Sequence, residues 1–113
     1  MDTNLLVESR ESGDWSVVEV KGEVDLYTAP QLREELTGLA EGGRTRIVVD
    51  LAGVDFLDST GLGVLIVGLK RCREQDGALA LVGPTEPVQK VLSITGLDKV
   101  FPIHGSVEQA TGS

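Results

Sequence analysis

Hydrophobic positions along this chain change their period several times, and each change marks an expected element. Leu5 to Glu8 and, after the polar segment Ser9 to Asp14, Trp15 to Lys21 with Val17, Val18 and Val20 read as two successive strands, hence an antiparallel hairpin. The spacing then turns helical. Thr28-Ala29-Pro30-Gln31 has the Thr-x-x-Gln form of a capping box with proline tolerated in the first turn; Leu32, Leu36, Leu39 and Ala40 follow as one apolar stripe, and Gly42-Gly43 ends it. Arg46 to Leu51 is a continuous β-branched run, as expected of a central strand covered on both faces and parallel to its neighbours. Asp58, Ser59 and Thr60 are candidate N-caps for a helix to Glu74, in which Leu62, Leu65, Ile66, Leu69 and Cys72 recur at helical spacing. Lys70, Arg71 and Arg73 near its end complement the helix dipole. Gly77 closes it, and Ala78 to Val82 reads as another buried strand. Thr85-Glu86-Pro87 opens a helix carrying Val88, Val91 and Leu92 that Gly96 stops; Val100-Phe101 is a short strand candidate, and Ser106-Val107-Glu108-Gln109 caps a last helix.

This order predicts an α/β fold, one domain over residues 1–113 with helices packed against a mixed sheet. A chain of 113 residues suits a single core, so one site is expected rather than a domain interface. Charge narrows the partners: 18 acidic against 10 basic residues give a net charge of -8, and no basic run exceeds Lys70-Arg71, which speaks against nucleic acid and anionic membrane. The lone Cys72 rules out an intrachain disulfide and a Cys-rich metal site, and a reducing cytoplasm fits. Asp2, Glu8, Arg10 and Glu11 interrupt any signal-peptide apolar region, and the apolar stretch from Gly61 to Leu69 is about half the roughly 20 residues of a membrane span.

Chemistry concentrates in Phe56-Leu57-Asp58-Ser59-Thr60-Gly61, expected as the loop beyond a strand's C-terminal end, where helix N-termini open with unpaired amides. Two readings stand on the residues alone. A plain N-cap accounts for one polar side chain; an exposed site accounts for all of them together with Gly61 and Gly63, which leave backbone accessible to another molecule. Elsewhere, Cys72 has basic neighbours but lies on the apolar face, so it reads as core. His104 is the only histidine, Gly61-Leu62-Gly63 lacks the third glycine of a dinucleotide fingerprint, and no paired acid and base can be located. Neither an enzyme, a metal nor a nucleotide cofactor is expected.

The block Val48 to Leu65, containing Asp50-Leu51-Ala52-Gly53 and Asp58-Ser59-Thr60-Gly61, resembles the signature of STAS domains that act as anti-sigma factor antagonists. Gly22-Glu23-Val24-Asp25 with Thr28-Ala29-Pro30 is similar to that family's earlier motif, and Ile94 to Phe101 to its closing segment, so the likeness spans nearly the whole chain. The resemblance implies a bacterial partner switch. The unphosphorylated antagonist binds an anti-sigma factor, itself a serine kinase, which then releases its sigma factor; phosphorylation ends the complex and a metal-dependent serine phosphatase reverses it. Carried over by position, the phosphoacceptor is Ser59, with Thr60 standing where many members have a second serine, and the partner-facing surface is Asp25, Thr28, Asp58, Thr60, Gly61, Leu62 and Gly63. The alternatives are a STAS scaffold that is not phosphorylated, and a receiver-like phosphotransfer domain with an aspartyl phosphate at Asp50. The latter would need an acidic pair at the end of its first strand, where this chain offers only Glu8.

Overall fold

A computed structural model describes residues 5–112; the expected domain span of 1–113 exceeds this only by positions 1–4 and 113, which lie outside the described residues. The expected hairpin is present but longer than its hydrophobic pattern implies. Strands β1 (Leu5–Ser12) and β2 (Trp15–Val24) pair antiparallel from Leu5 opposite Gly22 to Ser12 opposite Trp15. The connection is therefore only Gly13-Asp14, with Gly13 at a φ of 61°, a sign that suits glycine in a two-residue hairpin loop. The polar residues Ser9 to Ser12, expected as turn, are strand: β1 is the sheet edge, where polar side chains face water and discourage further pairing.

Helix α1 (Ala29–Glu41) buries Ala29, Leu32, Leu36 and Ala40, the expected stripe with Ala29 added at its start. Strand β3 (Arg46–Leu57) then runs parallel to β2 and to β4 (Ala78–Val82), with α2 (Ser59–Glu74) as the crossover. Helix α3 (Glu86–Ile94) follows, then a 3-10 turn over Leu97–Lys99, strand β5 (Ile103–His104) and α4 (Val107–Thr111). The five strands lie in the order β1-β2-β3-β4-β5, so the sheet is mixed, antiparallel at the β1 edge alone. The last strand is not at Val100-Phe101. Phe101 is buried in the core, and pairing begins after it, with Ile103 opposite Leu81 and His104 opposite Val82, while the Pro102 carbonyl accepts from the Leu81 N–H at 2.9 Å.

The core lies on one face of the sheet. Val18, Val20, Ile47, Val49, Leu51, Leu79 and Leu81 meet Leu32 and Leu36 of α1, Leu62, Leu65, Leu69 and Cys72 of α2, and Val88 and Leu92 of α3. On the other face Val17, Val48 and Val82 form a small cluster against Trp15 and α4, so the expected two-sided cover of β3 holds only for its first half. Beyond Leu51 the strand continues for six residues that its hydrophobic pattern does not announce. Leu51, Val54 and Leu57 are all buried although three residues apart, a spacing that alternates faces in a regular strand. Two irregularities in the pairing with β2 explain it: between Glu19 and Lys21, and again between Gly22 and Glu23, β3 carries an extra residue, and each extra residue returns the next apolar side chain to the core. Burial of Val24 and Leu57 side by side at the ends of β2 and β3 then fixes where both strands release their chains.

Candidate functional site

Where β3 ends, the expected loop shrinks to one residue. Phe56 and Leu57 are still strand, Ser59 is already helix, and only Asp58 lies between them. Asp58 is tied on both sides. Its N–H donates to the Val24 carbonyl at 3.1 Å, and its Oδ1 accepts from the N–H groups of Thr60 at 2.9 Å and Gly61 at 3.1 Å. Of the three candidate N-caps Asp58 is thus the one used. That assignment leaves Ser59 exposed at the first helical position, with no side-chain hydrogen bond among the described residues. Thr60, half-buried, likewise has none.

The second element of the site is the turn from β2 into α1. The Asp25 Oδ1 accepts from the N–H groups of Tyr27 at 2.9 Å and Thr28 at 3.0 Å, and the Asp25 carbonyl accepts from Ala29 N–H at 2.8 Å. The Thr28 N–H is the main reason its carboxyl is held below the ordinary aspartate value; the Tyr27 N–H and the Thr28 hydroxyl add to the effect, and partial desolvation works against it. The expected capping box at Thr28 does not form. Its hydroxyl donates to the Glu23 carbonyl at 2.8 Å and accepts from the Asp25 N–H at 2.9 Å, so it closes the turn instead of capping the helix, and the Gln31 side chain reaches away to the Leu5 carbonyl.

These two turns emerge beside each other, because Val24 and Leu57 are paired and Asp58 bonds to Val24. Asp25, Thr28, Asp58, Ser59 and Thr60 therefore share one edge of the sheet, as expected. Gly61 and Leu62 do not join them on the surface. Leu62 is buried at 7% exposure, and a methyl group at Gly61 would sit 2.5 Å from Leu57 Cδ1 and 2.7 Å from Val24 Cγ1, so Gly61 is a packing glycine rather than an accessible one. Gly63 has open space around it and lines a groove of about 290 Å³ with Arg33 of α1 and Thr60, Val64 and Val67 of α2.

The sequence pattern missed the apolar part of this surface. Tyr27 is 87% exposed and Leu26 63%, both in the Asp25 turn, and Phe56 is 48% exposed on the last stretch of β3. Asp55 and Glu23 lie exposed beside Phe56, its neighbour in the chain and its partner across the ladder. The available signal was Leu26-Tyr27 between two turn-forming side chains, where apolar residues have no core to face. Exposed aromatic and aliphatic side chains rimmed by carboxylates are of the kind that mark protein contact surfaces. Asp50, the alternative phosphoacceptor, sits mid-strand with its Oδ1 accepting from Ala52 N–H at 3.0 Å, away from this edge. Burial raises the Cys72 thiol above its ordinary value, in keeping with a core residue. Among the described residues no cluster of possible metal ligands occurs, and no helix is long and apolar enough to cross a membrane.

Comparison with known proteins gives one consistent result. Residues 7–110 match the STAS domain family. The anti-sigma-B factor antagonist of Staphylococcus epidermidis is 35% identical over 105 residues, which cover 93% of this chain and 97% of that protein. The anti-sigma-B factor antagonist of Staphylococcus aureus is 34% identical with the same coverage. Among solved structures, an anti-sigma factor antagonist from Mycobacterium paratuberculosis superimposes with a TM-score of 0.87 at 29% identity, covering 96% of this chain and 92% of that one.

Proposed function

The chain belongs to the STAS domain family, and from that premise we propose that it is an anti-sigma factor antagonist that binds its anti-sigma factor through the edge around Ser59 and lets go when Ser59 is phosphorylated. It acts by binding, so that the anti-sigma factor gives up its sigma factor. The observation that carries this reading is the exposed, unbonded hydroxyl of Ser59 on an edge whose adjoining turns and strand end also expose Leu26, Tyr27 and Phe56 and carry Asp25 and Asp58. A group placed there cannot be modified without altering the contact.

The anti-sigma factor doubles as the serine kinase in this reading. The Ser59 Oγ attacks the γ-phosphorus of ATP, the bond to ADP breaks, and the hydroxyl proton passes to a base on the kinase. The product carries about -1.5 to -2 charge units at a surface already acidic, and a partner with basic groups and apolar pockets must desolvate that phosphate or leave. A loss of about 1.4 kcal/mol already weakens binding tenfold. A metal-dependent serine phosphatase restores the hydroxyl, and ATP, kinase and sigma factor place the cycle in the cytoplasm.

The test uses the kinase captured on immobilised, unmodified protein. With ATP it should add one phosphate to the parent chain and none to Ser59→Ala, and the phosphorylated protein should elute free of the kinase. Tyr27→Ala should weaken capture at least about fivefold, since an aromatic anchor in an interface typically contributes more than about 1 kcal/mol. Full labelling of Ser59→Ala, mapped to Thr60, would move the switch by one residue, and an undisturbed complex after phosphorylation would end the proposal.

A further inference from the structure

Phosphate attached near a helix start is ordinarily received by the free amides of the first turn. Here two of the three amides that the first turn leaves open, those of Thr60 and Gly61, are taken, and among the described residues only the Ser59 N–H is left to give. Thr60 and Gly61 donate to the Asp58 carboxylate and Leu62 to the Asp58 carbonyl at 3.0 Å. A phosphate on Ser59 therefore meets a largely capped helix with one amide to offer, together with the like charges of Asp58 and, on the adjoining turn, Asp25, so a nearby cation gains from pairing with it. The groove that begins at Thr60 supplies one. Its walls are Thr60, Gly63, Val64 and Val67, and among the described residues Arg33 is the only charged one lining it. Arg33 lies in the second turn of α1, exposed, with no ion pair or hydrogen bond among the described residues. Side chains on a helix lean toward its N-terminus, and α1 and α2 both begin at the Ser59 edge, so the Arg33 guanidinium leans toward the phosphate position.

Resting on the reading that Ser59 is the phosphoacceptor, we infer that Arg33 is the intramolecular counter-charge of the phosphorylated state. Its planar fork pairs with phosphate oxygens through two parallel N–H bonds, a geometry lysine cannot reproduce. Gly63 leaves the path between them clear, since nothing lies within 4 Å of where its side chain would begin. The guanidinium then lies across the groove, so phosphorylation closes a concave part of the docking surface as well as adding charge to it.

The experiment installs phosphoserine at position 59 by genetic encoding, which makes it independent of any kinase. Phosphorus NMR follows the second proton release of the phosphate, ordinarily at about pH 6. The groups that set its midpoint are Asp58 and Asp25, which raise it, and Arg33, which lowers it. Arg33→Gln should move the midpoint up by about half a pH unit or more, and Arg33→Lys should fall between the two. The shift should shrink in high salt. In the unphosphorylated chain Arg33→Gln should leave the unfolding midpoint unchanged, because the side chain is exposed and unpaired. A titration of Arg33→Gln that superimposes on the parent overturns the inference, whatever the kinase does. Failure of the kinase to label Ser59 would instead overturn the functional reading and leave the Arg33 titration standing.

Discussion

Replacing Gly61 by alanine tests whether the site is built on the packing described. The new methyl would lie 2.5 Å from Leu57 Cδ1, 2.7 Å from Val24 Cγ1 and 3.3 Å from Val24 Cβ. Ordinary carbon contacts are about 3.5 to 4.0 Å, so two of these must open by about 1 Å. Leu57 can rotate its end but is buried, and Val24 is fully buried and β-branched, with little rotamer freedom to give. Overpacking costs about 1 to 3 kcal/mol, and two overlaps against buried side chains put this case at about 2 to 3; set against a helical gain for alanine over glycine of about 0.5 to 1 kcal/mol, the net loss is about 1 to 2.5 kcal/mol. For 113 residues an unfolding entropy of about 2.1 cal/mol/K per residue makes each kcal/mol worth about 4 °C, so Gly61→Ala should melt about 4 to 10 °C below the parent. Gly63 is the internal control, because its added methyl meets nothing within 4 Å. Gly63→Ala should melt about 2 to 4 °C above the parent through reduced freedom of the unfolded chain, yet bind the anti-sigma factor less well because it narrows the groove. Thermal unfolding by circular dichroism gives both values. A Gly61→Ala variant as stable as the parent would show that Val24, Leu57 and the start of α2 are not packed in this way.

Two further outcomes follow from the polar scaffold of the site. Asp58→Ala removes the acceptor of two amides and should cost about 1 kcal/mol, with faster hydrogen exchange at Thr60 and Gly61; unchanged exchange there would refute the cap. Asp25 has a folded-state pKa depressed below its unfolded value, so its contribution is present above the unfolded value and is lost as pH falls through the folded one, a window lying below about pH 4. Amide shifts of Tyr27 and Thr28 should titrate together in that window and lose the transition in Asp25→Asn; an inflection above it would contradict the hydrogen-bonded turn.

The element order, the mixed sheet and the cluster of Asp25, Thr28, Asp58, Ser59 and Thr60 were legible because they rest on local signals: apolar periodicity, turn residues and a polar block at a helix start. Each failure has a tertiary cause. Strand β3 was cut at Leu51 because two extra residues turn its burial period from two to three, which no alternation rule detects. Val100-Phe101 looked like a strand because Phe101 is apolar, but its burden is packing, and the position of β5 is set by Leu81 and Val82 across the ladder. The Thr28 capping box had the right spacing, yet the Glu23 carbonyl and the Asp25 amide claim the hydroxyl first. Gly61 and Gly63 are equivalent by composition and opposite in role, since only the fold reveals that Val24 and Leu57 crowd one of them. Leu26, Tyr27 and Phe56 were overlooked because hydrophobicity alone reads as core.

Joining β3 to α2 through Asp58 alone has a kinetic consequence. A phosphoacceptor on a long loop must be ordered each time a partner arrives, and that ordering slows encounter and weakens the complex. Here a single residue separates the last core residue of the strand, Leu57, from the first residue of the helix, Ser59, so Ser59 is held in one geometry before any partner arrives. In the proposed cycle, association can then run at the pace of diffusion and charge steering, and the lifetime of each complex is the quantity that phosphorylation would adjust. Under that proposal such a joint would let the protein pass between kinase and phosphatase at a tempo set by dissociation, with the chain itself holding still.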